Sequence, residues 1–170
     1  MAEELLDLRE LPREQAYDEL RGFVATALAG VSDRTAAMAT ISSLVHHSFG
    51  FLWTGFYRVV APRKLLVGPY QGSLGCLEID FGRGVCGTAA ETGEAVIVDD
   101  VLRHENHITC DPRARSEIVV PVFDASGELI AVFDVDSDQP GSFSEVDRIG
   151  LEQILTWFTT AERSTRDYAA

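Results

Sequence analysis

The sequence is short of positive charge. Against 27 Asp and Glu stand 14 Lys and Arg, for a net charge of −13. That balance speaks against a nucleic-acid partner and against an anionic membrane surface. No apolar run approaches the roughly 20 residues that a membrane-spanning helix needs. The opening stretch MAEELLDLRE is charged and lacks the apolar block of a secretion signal. A cytoplasmic location is therefore expected, with thiols that start out reduced. Cysteine is scarce as well: Cys76, Cys86 and Cys110 are the whole set. An odd number argues against a purely structural disulfide framework, and the spacing contains no C-x-x-C. A zinc site of the three cysteines and His107 can be written down, but its spacing fits no usual knuckle. The plainest role for each thiol is that of a small buried hydrophobe. Repeats, low-complexity tracts and linkers are also missing. The 170 residues, 46% of them hydrophobic, thus read as one domain able to bury a core.

What is present alternates in period along the chain. After Pro12, REQAYDELRGFVATALAG places Leu20, Phe23, Val24, Ala27 and Leu28 at helical spacing, with Gly30 as the stop. Asp33 is placed to cap a second helix that Gly50 ends, with His46 and His47 in its last turn as dipole-capping residues. Strand patterns follow in FLWTGFYRVV and KLLVGPY, then in the short edge segment CLEIDFG. GRGVCGTAAETG reads as a short helix between glycines, and EAVIVDD as a strand. Val101 to Ser116 has no apolar period and is expected to be a long loop, a kind of segment that is usually functional. EIVVPVFD and LIAVFDVDS form a second hairpin, and Ser144 caps one long final helix, EVDRIGLEQILTWFTTAERS. Hairpins outnumber crossovers. The expected class is α+β, a mostly antiparallel sheet with helices packed on one face.

Chemistry concentrates in a few places. In LIAVFDVDS, alternation puts Ile130, Val132, Asp134 and Asp136 on one face and Leu129, Ala131, Phe133 and Val135 on the other. Two successive carboxylates on an apolar strand are costly to bury unless a cation arrives. The competing reading is a strand that emerges into solvent at Asp134. Glu117 heads the apolar series of the partner strand and would complete a three-carboxylate cluster if the register allows. Trp53 and Tyr57, four apart, share a face, either as core or as the wall of a small apolar pocket with a hydroxyl available. Cys86 lies near a helix start, and Cys110 near Arg113 and Arg115; both settings favour thiolate. Cys76 sits in the Gly-rich stretch QGSLGCLE. Three thiols in such settings suggest redox chemistry more than packing.

The stretches WTGFY, GPYQG, FGRGVCGTAAETGE, HITCD, SEIVVPV and DVDS occur in this order. Together they resemble the GAF-domain free methionine-(R)-sulfoxide reductases, from about Leu52 to the last helix. The resemblance implies a GAF-like fold and thiol-dependent reduction of the free amino acid through a sulfenic acid and an intramolecular disulfide. It assigns Cys110, the cysteine of the HITCD stretch, as nucleophile and Cys76 as the resolving thiol. It leaves Cys86 as a nucleophile or second resolving thiol. It places Trp53 and Tyr57 beside the substrate and has Glu117, Asp134 and Asp136 bind its polar atoms; an acid held protonated in such a crowded carboxylate site suits protonation of the sulfoxide oxygen, and Glu117 is the residue expected to do it. A thioredoxin-type dithiol would be the reductant, and no metal, flavin or nucleotide is called for. The oligomeric state is not written in these motifs, and a homodimer stays open. The rivals are a GAF sensor module that binds a small ligand without chemistry, since fold does not determine function, and a structural zinc protein.

Overall fold

In the computed structural model, residues 6–160 are described, except 107 and 109. Helices α1 (Arg13–Ala27) and α2 (Arg34–Phe49) come first. Asp33 caps α2 by accepting the Ala36 N–H at 2.7 Å, and Gly50 closes it in the left-handed conformation. Strand β1 (Trp53–Ala61) turns through Pro62 and Arg63 into β2 (Lys64–Gly72), and β3 (Glu78–Asp80) forms one edge. Helix α3 (Gly84–Thr92) and the short strand β4 (Val96–Val98) follow. Among the described residues of 101–115, the one helical element is the 3-10 turn at Val101–Arg103. Strands β5 (Ser116–Phe123) and β6 (Leu129–Ser137) make a hairpin, and α4 (Glu145–Leu155) and α5 (Trp157–Thr160) complete the order.

The six strands form one sheet in the order β3-β2-β1-β6-β5-β4, every neighbouring pair antiparallel. One face carries α1, α2, α4 and α5 over a core that includes Leu20, Ile41, Phe56, Phe133, Val135, Leu151 and Phe158. The Phe56 and Phe133 rings lie 4.6 Å apart, and each fully buried phenyl contributes about 1.5–3 kcal/mol by leaving water. Where α1 crosses α4, Gly150 lets the Tyr17 ring rest on the helix backbone; a Cβ there would stand 2.3 Å from it. The Tyr17 hydroxyl donates to Asp147, the acid of the capping box that Ser144 begins. The other face carries α3 and a second core built on Trp53, Tyr57, Val85, Cys86, Val119 and Val132. The expected architecture is thus present, with the one short helix on the face opposite the others.

Local departures have physical causes. Phe23 and Ala27 of α1 are exposed, because the buried stripe runs through Ala16, Tyr17, Leu20 and Val24. Leu129 and Ile130 exchange faces relative to strict alternation, since the register slips by one residue between Val122 and Phe123. The single final helix is broken at Thr156, whose hydroxyl turns back on to the Gln153 carbonyl at 2.6 Å; its last four expected residues lie outside the described set. His46 is half-buried, and burial and then His47 push its ring pKa down, against the cation expected to cap α2; its Nδ1 lies 3.4 Å from Thr54 Oγ1. Among the described residues no helix is long and apolar enough to cross a membrane.

Candidate active site

Register assembles the site. The β5–β6 pairing sets Glu117 opposite Asp136 and Val119 opposite Asp134. The β1–β6 pairing sets Trp53 opposite Asp136, Gly55 opposite Asp134 and Tyr57 opposite Val132. All five predicted binding residues therefore face one side of three adjacent strands. Gly55 makes room for them. A Cβ there would stand 2.3 Å from Tyr70 Cβ and 2.8 Å from the Trp53 ring. Without it, the Trp53 indole lies flat between Tyr70 and Tyr57, at 5.2 and 5.6 Å between ring centroids. Asp134 is only 5% exposed, which overturns the reading of a strand emerging into solvent.

Helix α3 brings the third thiol beneath this cluster. Cys86 Sγ and carboxylate oxygens of Glu117 and Asp134 all lie within 4.8 Å of one another. The thiolate expected from the helix start is not what this setting favours. Burial first, then the charges of Asp134, Glu117 and Asp136, push the Cys86 thiol well up, and they outweigh the short helix's dipole. The carboxylates are pushed up as well. For Glu117 burial leads, followed by Asp134 and Asp136; for Asp136 burial leads, followed by Asp134 and Asp111. Asp134 is raised by burial but pulled back by the Cys86 thiol and Glu117. All three carboxyls are therefore held protonated above the ordinary carboxylate range, Glu117 among them. Among the described residues, no donor reaches Asp134 Oδ1.

Two loops close the mouth. Cys76, between β2 and β3, and Cys110, before β5, are joined in a disulfide with Cα atoms 5.4 Å apart. A zinc site using all three cysteines is incompatible with that bond, and His107, its fourth expected ligand, lies outside the described residues. The positive charge expected beside Cys110 is largely compensated: Arg113 binds Asp111 through Nη2 at 2.7 Å, and Arg115 lies 3.7 Å from Asp100. Trp53, Tyr57, Cys86, Cys110, Glu117, Asp134 and Asp136 line one cavity, together with Leu74, Ile108 and Asp111. Sequence reasoning left Gly55, Tyr70, Ser73 and Asp111 without roles. Asp111 was visible as the acid beside the cysteine; Gly55, Tyr70 and Ser73 lie within the stretches WTGFY, GPYQG and QGSLGCLE, but no residue type there pointed to their contacts.

The GAF domain family profile matches residues 31–158. The free methionine-R-sulfoxide reductase of Saccharomyces cerevisiae is 41% identical over 124 residues, 69% of this chain and 69% of that protein. The GAF domain-containing protein A of Dictyostelium discoideum is 39% identical over 155 residues, 91% and 97% of the two chains. The free methionine-R-sulfoxide reductase of Neisseria meningitidis, solved in complex with its substrate, superposes with a TM-score of 0.86 at 36% identity, covering 91% of this chain and 92% of that one. The chain belongs to the GAF-domain free methionine-R-sulfoxide reductase family. The stretches that carried the resemblance converge here: WTGFY, GVCG, HITCD, SEIVV and DVDS each send at least one side chain into the cavity of this family member.

The raised carboxyls make stability depend on pH in a definite direction. Between the ordinary carboxylate range and their raised values, the folded cluster binds more protons than the unfolded chain. Its contribution is complete at acid pH and is lost as pH rises through the folded values. Glu117→Gln, a neutral copy of the protonated side chain, should flatten this fall. In urea melts at pH 5 and pH 8, the variant is expected to gain stability relative to the parent at the higher pH. An unchanged difference at the two pH values would mean that Glu117 does not hold a displaced proton.

Proposed function

We propose that the chain acts as a single GAF-like domain that reduces free L-methionine-(R)-sulfoxide to L-methionine. One observation carries the mechanism: a Cys76–Cys110 disulfide at the mouth of a cavity floored by Glu117, Asp134 and Asp136 and walled by stacked Trp53 and Tyr57. The Cys110 thiolate attacks the sulfoxide sulfur. Glu117, which keeps its proton because it is buried beside two other acids, donates that proton to the departing oxygen. The S–S bond formed in the attack and the substrate S–O bond then break as the hydroxyl passes to the Cys110 sulfur; the substrate sulfur keeps the electron pair, methionine leaves and Cys110 becomes a sulfenic acid. Cys76 condenses with it, water is released, and the disulfide forms. A thioredoxin-type dithiol returns both thiols by exchange. Trp53 and Tyr57 hold the apolar part of the substrate, and Asp134 and Asp136 hold its ammonium. Cys86 remains a neutral thiol under the carboxylates.

The names of the yeast and Neisseria relatives support this reading. It is tested by incubating fully reduced protein with dithiothreitol and each epimer of free methionine sulfoxide and measuring methionine. The R epimer should be reduced and the S epimer little touched. Methionine from neither epimer would remove the enzyme reading in favour of the ligand-binding sensor.

A further inference from the structure

The two cysteines of the disulfide come from loops with little else in common. The Cys76 loop is only partly held by packing: Gly75 and Cys76 rest on the Trp53–Tyr57 core, while Leu74 and Leu77 on either side are 76% and 65% exposed. Polar contacts made by Ser73 add to that hold. The Trp53 indole N–H donates to the Ser73 carbonyl at 3.0 Å, and the Ser73 hydroxyl donates to Asp111 Oδ2 at 2.6 Å. The second contact spans 38 residues of chain and joins the two loops directly. Ser73 lies three residues before Cys76, and Asp111 follows Cys110. Asp111 is a rigid post for this contact. It is 9% exposed and accepts from the Arg113 backbone N–H at 2.9 Å, Nε at 3.1 Å and Nη2 at 2.7 Å. These bonds hold its carboxyl well below the usual range, so it is a charged acceptor at any working pH.

We infer that Ser73 and Asp111 form a latch that holds the Cys76 loop against the Cys110 loop, and that the latch sets how fast the disulfide closes. The inference rests on the sulfenic-acid chemistry proposed above. In the step it governs, the Cys76 sulfur attacks the Cys110 sulfenic sulfur. The S–S bond forms, the S–O bond breaks, and the hydroxyl leaves with a proton as water. Reaction geometry of this kind depends on loops being pre-positioned, and a hydrogen bond to a charged group is strong enough to control that population. Ser73 is thus a positioning residue for the closing step, with no part in the attack on the sulfoxide.

The test compares the parent with Ser73→Ala and Ser73→Thr, all fully reduced. A single turnover with methionine-R-sulfoxide is followed by three readouts: methionine released, sulfenic acid trapped by a 1,3-dicarbonyl reagent, and disulfide formed, by mass. A second arm replaces the sulfoxide with hydrogen peroxide, which makes the sulfenic acid without substrate. In Ser73→Ala, methionine should be released at the parent rate. Closure should slow by about tenfold in both arms, so that trapped sulfenic acid accumulates. Ser73→Thr, which keeps the hydroxyl, should restore closure. Closure of Ser73→Ala at the parent rate would overturn the latch. So would an equal slowing of methionine release, or failure of Ser73→Thr to restore closure, since either points to general damage to the loop. A parent protein that releases no methionine yet closes its disulfide after peroxide would unseat the reductase reading alone and leave the latch comparison intact.

Discussion

Reduced Cys110→Ser protein should release no methionine from the R sulfoxide, even in one turnover. The attacking group must be a polarisable thiolate, and a serine hydroxyl in its place is scarcely ionised near neutral pH. A loss beyond about a thousandfold is expected, equivalent to about 4 kcal/mol in the barrier. Cys76→Ser should behave differently. Its nucleophile is intact, so it should release about one methionine per chain and then stall with a thioredoxin-type reductant, because exchange needs the disulfide that this variant cannot make. Cys86→Ser keeps both members of the Cys76–Cys110 pair. Single-turnover assays on the three variants separate the roles. Full release by Cys110→Ser with none from Cys86→Ser would move the nucleophile to α3, against the burial and the surrounding acids that now hold that thiol protonated.

The residues that made the fold legible are those whose signal is local. Asp33 and Ser144 announce helix starts because a short polar side chain there meets an otherwise unsatisfied backbone N–H within three residues. The two faces of β6 could be separated because Phe133 and Val135 alternate with Asp134 and Asp136 over an unbroken run. What stayed hidden depends on how distant segments meet. That Glu117 stands opposite Asp136, and Trp53 opposite the same residue on the other side, is a property of strand register. Turn geometry and bulges decide register: Arg63 takes φ 59° between β1 and β2, and a slip follows Val122. The environment of Cys86 was misjudged for the same reason. Its own neighbours describe a helix start, while the carboxylates that raise its pKa come from β5 and β6. The Ser73–Asp111 contact joins loops 38 residues apart and leaves no trace in either stretch alone.

Free methionine sulfoxide should be preferred over its N-acetylated form by at least roughly a hundredfold in kcat/KM, the size of about 3 kcal/mol in the transition state. The argument starts from Asp134. It is almost fully buried, burial raises its carboxyl, and no donor among the described residues meets its Oδ1. Asp136, two residues on and on the same face, keeps its proton because burial and Asp134 disfavour a second charge. An ammonium arriving between them reverses that balance: a cation beside a carboxyl lowers its pKa and favours a carboxylate on each side. Binding of the free amino acid should therefore release a proton, detectable as a dependence of binding heat on buffer ionisation enthalpy. N-acetyl methionine sulfoxide has no cation to offer, so the acids stay protonated and the ion pairing that favours the free amino acid is absent. A peptide-bound residue suffers the same loss and must also pass the mouth narrowed by the Cys76 and Cys110 loops. Asp136→Asn should weaken use of the free amino acid, reduce the proton release and narrow the gap between the two substrates. Equal efficiency on free and N-acetylated sulfoxide in the unmutated protein would show that the pair does not read the ammonium. The reason for burying two aspartates side by side would then have to lie in the sulfoxide oxygen, with Glu117.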